Sequence, residues 1–159
     1  MHDVRRVKKT SKPSADRQAM LREVASACAI ARVRLLSRVM TSVFDEEFRP
    51  LGLVSSQQTL LGLILRLGEA TRAEIGRAGH IDRTTLTRNL KVLIDAGWVE
   101  EVAGHARGRL RPLRLSKAGE DLYFSSIPAW RAAQARAAKL FGPAALDAIK
   151  TVADKFMSA

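Results

Sequence analysis

Between residues 71 and 98 the apolar positions outline two short helices with a turn between them. Ile75 and Ala78 make a short stripe at helical spacing. Thr71 stands three residues before Glu74, the spacing at which each side chain caps the other's orphan amide at a helix start. Gly79 then allows a left-handed or otherwise tight backbone. Asp82, a favoured N-cap whose carboxylate suits the positive end of a helix dipole, opens the second helix. There Leu86, Leu90, Leu93 and Ile94 recur at spacings of three, four and seven, so they share one buried face. A rotation of about 100° per residue turns Thr84, Arg88 and Lys91 the other way, with Thr85 and Thr87 on the flanks and Arg83 at the helix start.

The same patterning predicts the remaining elements. Residues 98–103 and 110–116 read as two strands around a loop, GHARGR, at 104–109. A long helix is expected over about residues 15–48, ending because the residue before Pro50 is pushed out of helical geometry. Ser55 with Gln58 opens a helix over 55–67. Ser116 opens another toward Phe141, bent or interrupted where Pro128 removes an amide. Gly142-Pro143 starts a last one. The predicted fold class is mainly α with a small β-hairpin wing: a winged helix-turn-helix with N- and C-terminal helices. Phe124, Ile127, Trp130, Leu140, Phe141, Leu146, Ile149, Val152 and Phe156 give the last helices more apolar surface than a lone pair of helices can hide, so partner helices from a second subunit are expected.

The outward face of the second helix is chemically suited to a DNA groove. Arginine grips guanine bidentately, threonine meets a phosphate or a thymine methyl, and lysine neutralises a backbone charge. The competing reading is a solvated helix face, and the next segment shifts the balance. Arg107, Arg109, Arg111, Arg114 and Lys117 follow with no acidic residue among them, one hairpin after this helix, where a wing would reach the neighbouring minor groove or backbone. The formal net charge of +11 over 159 residues implies an anionic partner. Residues 71–117 hold ten Lys and Arg against five Asp and Glu.

These residues together resemble a MarR-family winged helix-turn-helix regulator. The likeness runs from about residue 20 onward. It is carried by Phe48-Arg49-Pro50-Leu51-Gly52-Leu53 with Ser55-Ser56-Gln57, by DRTTLTRNL at 82–90, by Leu115-Ser116-Lys117-Ala118-Gly119, and by Pro128-Ala129-Trp130-Arg131-Ala132-Ala133-Gln134. The resemblance implies a homodimer on pseudo-palindromic double-stranded DNA, a repressor released by a small aromatic or anionic effector. It implies a helical dimerisation region at 17–50 and 117–159 and a DNA-binding domain at 51–116, and the residues before them, 1–16, read by their charge as a flexible basic arm. One departure stands out: the family's wing usually carries an Asp two residues before a tip arginine. Aligned on Leu115-Ser116, those positions are Arg107 and Arg109.

The first twelve residues carry Arg5, Arg6, Lys8, Lys9 and Lys12 against Asp3. Two readings stay open, an arm that touches phosphates and a solvated tail, the second weighing more. No signal peptide or spanning segment is evident, so the cytoplasm is expected. The single cysteine, Cys28, excludes an internal disulfide framework. It is expected to be a small buried apolar side chain in the long helix. The alternative is a redox-responsive thiol beside arginines, but the tyrosines that accompany it in the peroxide-sensing relatives are absent, Tyr123 being the sole one, and Ile30 stands where other relatives carry the second cysteine of a Cys-x-Cys pair. Phe44, Phe48 and Trp130 are candidate walls of an effector crevice, with core packing the weightier reading. His2, His80 and His105 lack zinc-site spacing, and no nucleophile, Walker or dinucleotide pattern occurs. No enzyme activity, metal or cofactor is expected. A basic RNA-associated protein remains a rival, though its usual exposed stacking aromatics are scarce.

Overall fold

The computed structural model describes residues 14–103 and 111–157. Its elements run α1 (Ala15–Ala27), α2 (Ala29–Phe48), a 3-10 turn (Arg49–Leu51), α3 (Ser55–Leu67), α4 (Arg72–Ala78), α5 (Arg83–Asp95), β1 (Val99–Glu101), β2 (Leu113–Leu115), α6 (Lys117–Ser125), α7 (Ile127–Phe141) and α8 (Pro143–Met157). This is the mainly helical winged helix-turn-helix expected from the sequence. The chain divides into two compact units, residues 1–39 and 40–159, with the boundary inside α2. No helix among the described residues is long and apolar enough to cross a membrane.

In the first unit the expected single helix is two. Cys28 leaves helical geometry at φ −67° and ψ 103°, between α1 and α2. Neither proline nor glycine marks the spot. The freed carbonyls at the end of α1 are taken by a side chain: the Arg32 guanidinium donates to the Ala25, Ser26 and Cys28 oxygens, which satisfies groups that a helix end otherwise leaves open. Cys28 is half-buried, not the enclosed core residue expected. Met20, Leu21, Val24, Ile30, Val33 and Leu35 are all exposed.

In the second unit the core is assembled from the apolar faces of α3, α4, α5 and the hairpin. Leu60, Leu61 and Ile64 meet Ile75, the predicted trio Leu86, Leu90 and Leu93, and Val99, Leu113 and Leu115, with Phe48 and Leu53 closing one side. The two strands are antiparallel and shorter than predicted, pairing Val99 with Leu115, Glu100 with Arg114 and Glu101 with Leu113. Ala70 adds a bridge that the periodicity does not reveal: its N–H donates to Leu113 O at 3.0 Å and its carbonyl accepts from Leu113 N at 2.8 Å. The hairpin is thereby tied to the segment before α4.

The start of α3 also differs from expectation. Val54, not Ser55, is the N-cap; the Gln57 side chain accepts its N–H at 3.0 Å, and Asp45 accepts the Ser55 N–H at 2.6 Å. Gln58, assigned above to the cap, is buried instead. The helix begun at Ser116 is interrupted at Ser126, two residues before Pro128. Arg136 of α7 holds the end of α2 by pairing with Glu46 and Glu47, each at 2.7 Å, and its guanidinium keeps the Glu46 carboxyl below the ordinary range.

Candidate nucleic-acid interface

The helix-turn-helix is built by the caps read from the sequence. Glu74 accepts from the Thr71 N–H and hydroxyl, both at 2.7 Å, and Thr71 Oγ1 accepts the Glu74 N–H at 3.3 Å. Asp82 Oδ1 accepts the N–H groups of Thr84 and Thr85 at 3.0 and 2.9 Å. Those bonds hold both carboxyls below their ordinary values, Thr71 being the chief cause for Glu74 and Thr85 for Asp82. The turn itself works differently from the expectation for Gly79. Gly79 is right-handed at φ −93°, and His80 carries the left-handed backbone at φ 50°. The glycine serves close approach, since a Cβ there would stand 2.9 Å from both Ile81 and Leu63. His80 is further pinned by donating Nε2–H to the Phe156 carbonyl of α8 at 2.9 Å.

With Leu86, Leu90 and Leu93 buried, Arg83, Thr84, Thr85, Thr87, Arg88 and Lys91 all stand exposed. Five of these six line one open groove; Thr85 faces outside it. The groove also takes in Arg72, Arg77 and His80 from α4 and its turn, and Glu101 and Arg111 from the hairpin base. The sequence pattern alone does not single out Arg72, Arg77 or His80. Arg77 was within reach of it, because two residues beyond Ile75 lies across the helix from the buried face; Arg72 enters through a partner 29 residues away. Within the groove Thr87 donates to Arg83 O at 2.7 Å and Lys91 pairs with Asp95 at 2.6 Å. The guanidinium groups of Arg83 and Arg88 take no hydrogen-bond or ion-pair partner among the described residues.

The hairpin cations are arranged otherwise. Arg107 and Arg109, like His105, lie outside the described residues. Arg111, Arg114 and Lys117 form a strip with no acidic residue among them in sequence, yet each is paired in space. Arg111 meets Glu101 at 3.3 Å, Arg114 meets Glu100 at 2.9 Å and Glu69 at 3.5 Å, and Lys117 meets Asp121. Antiparallel register explains the main pair, since Glu100 faces Arg114 directly. Glu101 also accepts from Arg72 at 2.9 Å, and Arg72 chiefly holds its carboxyl low against the opposing effect of burial, with Arg111 adding a lesser pull. Such exposed pairs add little stability; their effect is to relocate free positive charge from the hairpin base to α5.

The other candidates separate. Phe48 is fully enclosed in the core with Phe44 packed on it, ring centroids 6.1 Å apart, so Phe48 is a core residue and not a wall of an open crevice. Trp130 is partly exposed on α7. Among the described residues no group of three or more His, Cys, Asp or Glu could hold a metal ion.

Comparison with known proteins agrees with this geometry. The sequence model of the MarR family matches residues 51–108. An HTH-type transcriptional regulator of Bacillus subtilis, YwoH, is 30% identical over 94 residues, covering 59% of this chain and 68% of that protein. The M. tuberculosis transcriptional regulator MosR, crystallised with DNA, is 29% identical with a TM-score of 0.68, over 82% of this chain and 95% of its own. A mutant E. coli MarR complexed with operator DNA shares the fold at 18% identity and a TM-score of 0.71, covering 83% and 96%. The capped helix pair, its open cationic groove and these matches together make the chain a member of the MarR family of winged helix-turn-helix transcriptional regulators.

Proposed function

We propose that the chain binds double-stranded DNA sequence-selectively as a homodimer, repressing transcription from an inverted-repeat operator, in the cytoplasm and without enzymatic activity. The observation that carries this reading is the open face of α5, where Arg83 and Arg88 stand in a groove without partners among the described residues. A guanidinium so placed gives up no intramolecular bond when it takes a phosphate or the O6/N7 edge of guanine. The MosR complex with DNA supports the same use of the fold.

Dimerisation is supported by apolar side chains left in contact with solvent on α1, α2 and α8, among them Leu21, Val24, Val33, Ile149 and Val152. A two-fold partner would cover them and set two copies of α5 about one helical turn of DNA apart, or a multiple of it. In this reading residues 51–116 contact DNA, residues 17–50 and 117–159 form the dimer, and 1–16 are a basic arm. Release by a small aromatic or anionic effector rests on family resemblance.

Selection of bound fragments from random-sequence duplex DNA by the purified protein tests the proposal. Recovery of an inverted repeat supports it, and recovery of no enriched sequence overturns it.

A further inference from the structure

One carboxylate in the groove gathers two cations, each from a different part of the fold. Glu101 ends β1. Its Oε1 accepts from Arg72, the first residue of α4, and its Oε2 from Arg111, where the chain enters β2. All three line the groove shared with Arg88. A negative charge there opposes a polyanion, and the side chains are about a third to a half exposed, so the pairs contribute little to holding the fold. Neither attraction nor stability accounts for the carboxylate. Geometry does: two long arginine side chains that would otherwise sample many rotamers and repel each other are fixed at one edge of the groove.

Resting on the DNA reading above, we propose that Glu101 is a positioning residue for duplex selection, setting where Arg72 and Arg111 meet the DNA backbone and thereby the register in which α5 meets the bases. Phosphate contacts carry no sequence information themselves, but they fix orientation for the groups that read it.

The test uses the full chain, the best duplex selected by the wild-type protein, and a random duplex of equal length. Glu101→Gln should lower the preference between the two by about five- to tenfold, leave random-duplex affinity equal or tighter, and keep the melting temperature near that of the wild type. Glu101→Gln combined with Arg72→Ala should lose less preference than the sum of the single changes, since the two residues act together. Unchanged preference in Glu101→Gln, strict additivity, or an equal fall for both duplexes accompanied by a lower melting temperature overturns the inference. A wild-type protein that prefers no duplex overturns the DNA reading and this inference with it, and is recognised before any variant is made.

Discussion

Gly119 lies so close to Trp98 that a Cβ added to it would stand 2.0 Å from the Trp98 carbonyl oxygen. The first turn of α6 is seated on the entry to β1: the Ser116 N–H donates to that same carbonyl at 3.0 Å, and the Ser116 hydroxyl donates to Gly97 O at 2.6 Å. Because the obstacle is main chain, no rotamer change relieves it. Gly119→Ala should therefore cost at least the 1–3 kcal/mol or so typical of overpacking. Urea unfolding checks this, and a midpoint equal to that of the wild type would contradict it.

Arg88→Ala should lower discrimination between the selected duplex and random DNA by about 1–3 kcal/mol, whereas Arg109→Ala should weaken every duplex and flatten the salt dependence by about one unit. The first residue is placed on the open face of α5 and the second rests on the sequence of the wing. Titrations across salt separate the two behaviours. An Arg88→Ala protein with undiminished preference would mean that another face reads the bases.

The core face of α5 makes the opposite demand. Leu90 is 1% exposed, so Leu90→Ala leaves a cavity and should cost about 2–5 kcal/mol. Thr85, exposed and outside the groove, should tolerate alanine within about 0.5 kcal/mol. Equal losses at the two positions would show that α5 is seated differently.

Glu46, Glu74, Asp82 and Glu101 all hold their carboxyls below the ordinary values. A group depressed in the folded chain contributes stability that is fully present above its unfolded pKa and is lost as pH falls through its folded one. The melting temperature should thus be nearly flat down to about pH 5 and fall below it. Asp82→Asn, which keeps an oxygen acceptor but no titratable carboxyl, should fall less steeply. A melting temperature that climbs on acidification through this window would contradict the assignment.

What could be read from the residues alone was local. The Thr71/Glu74 and Asp82 caps, and the division of α5 into a leucine face and a hydroxyl-and-cation face, follow from spacings of three and four, and they appear as read. The differences arise where a distant or unconventional partner decides. Pairing of Arg114 with Glu69, 45 residues away, and the bridge of Ala70 to Leu113 have no sequence signature. The break at Cys28 is capped by the side chain of Arg32, which resembles any other solvated arginine in the sequence. The positive φ fell on His80 beside a glycine because Gly79 was needed for its lack of a side chain, not for its backbone freedom.

The bond from His80 to Phe156 has an unusual vulnerability. Its acceptor is a main-chain oxygen in the final turn of α8, one of the carbonyls that a helix end leaves without an internal donor. Exchanging the phenyl ring for another side chain does not remove that oxygen, whereas unwinding or trimming the turn does. The angle at which α5 leaves the bend is in this way anchored to a length of backbone, and tolerance to substitution at position 156 would coexist with intolerance to its deletion.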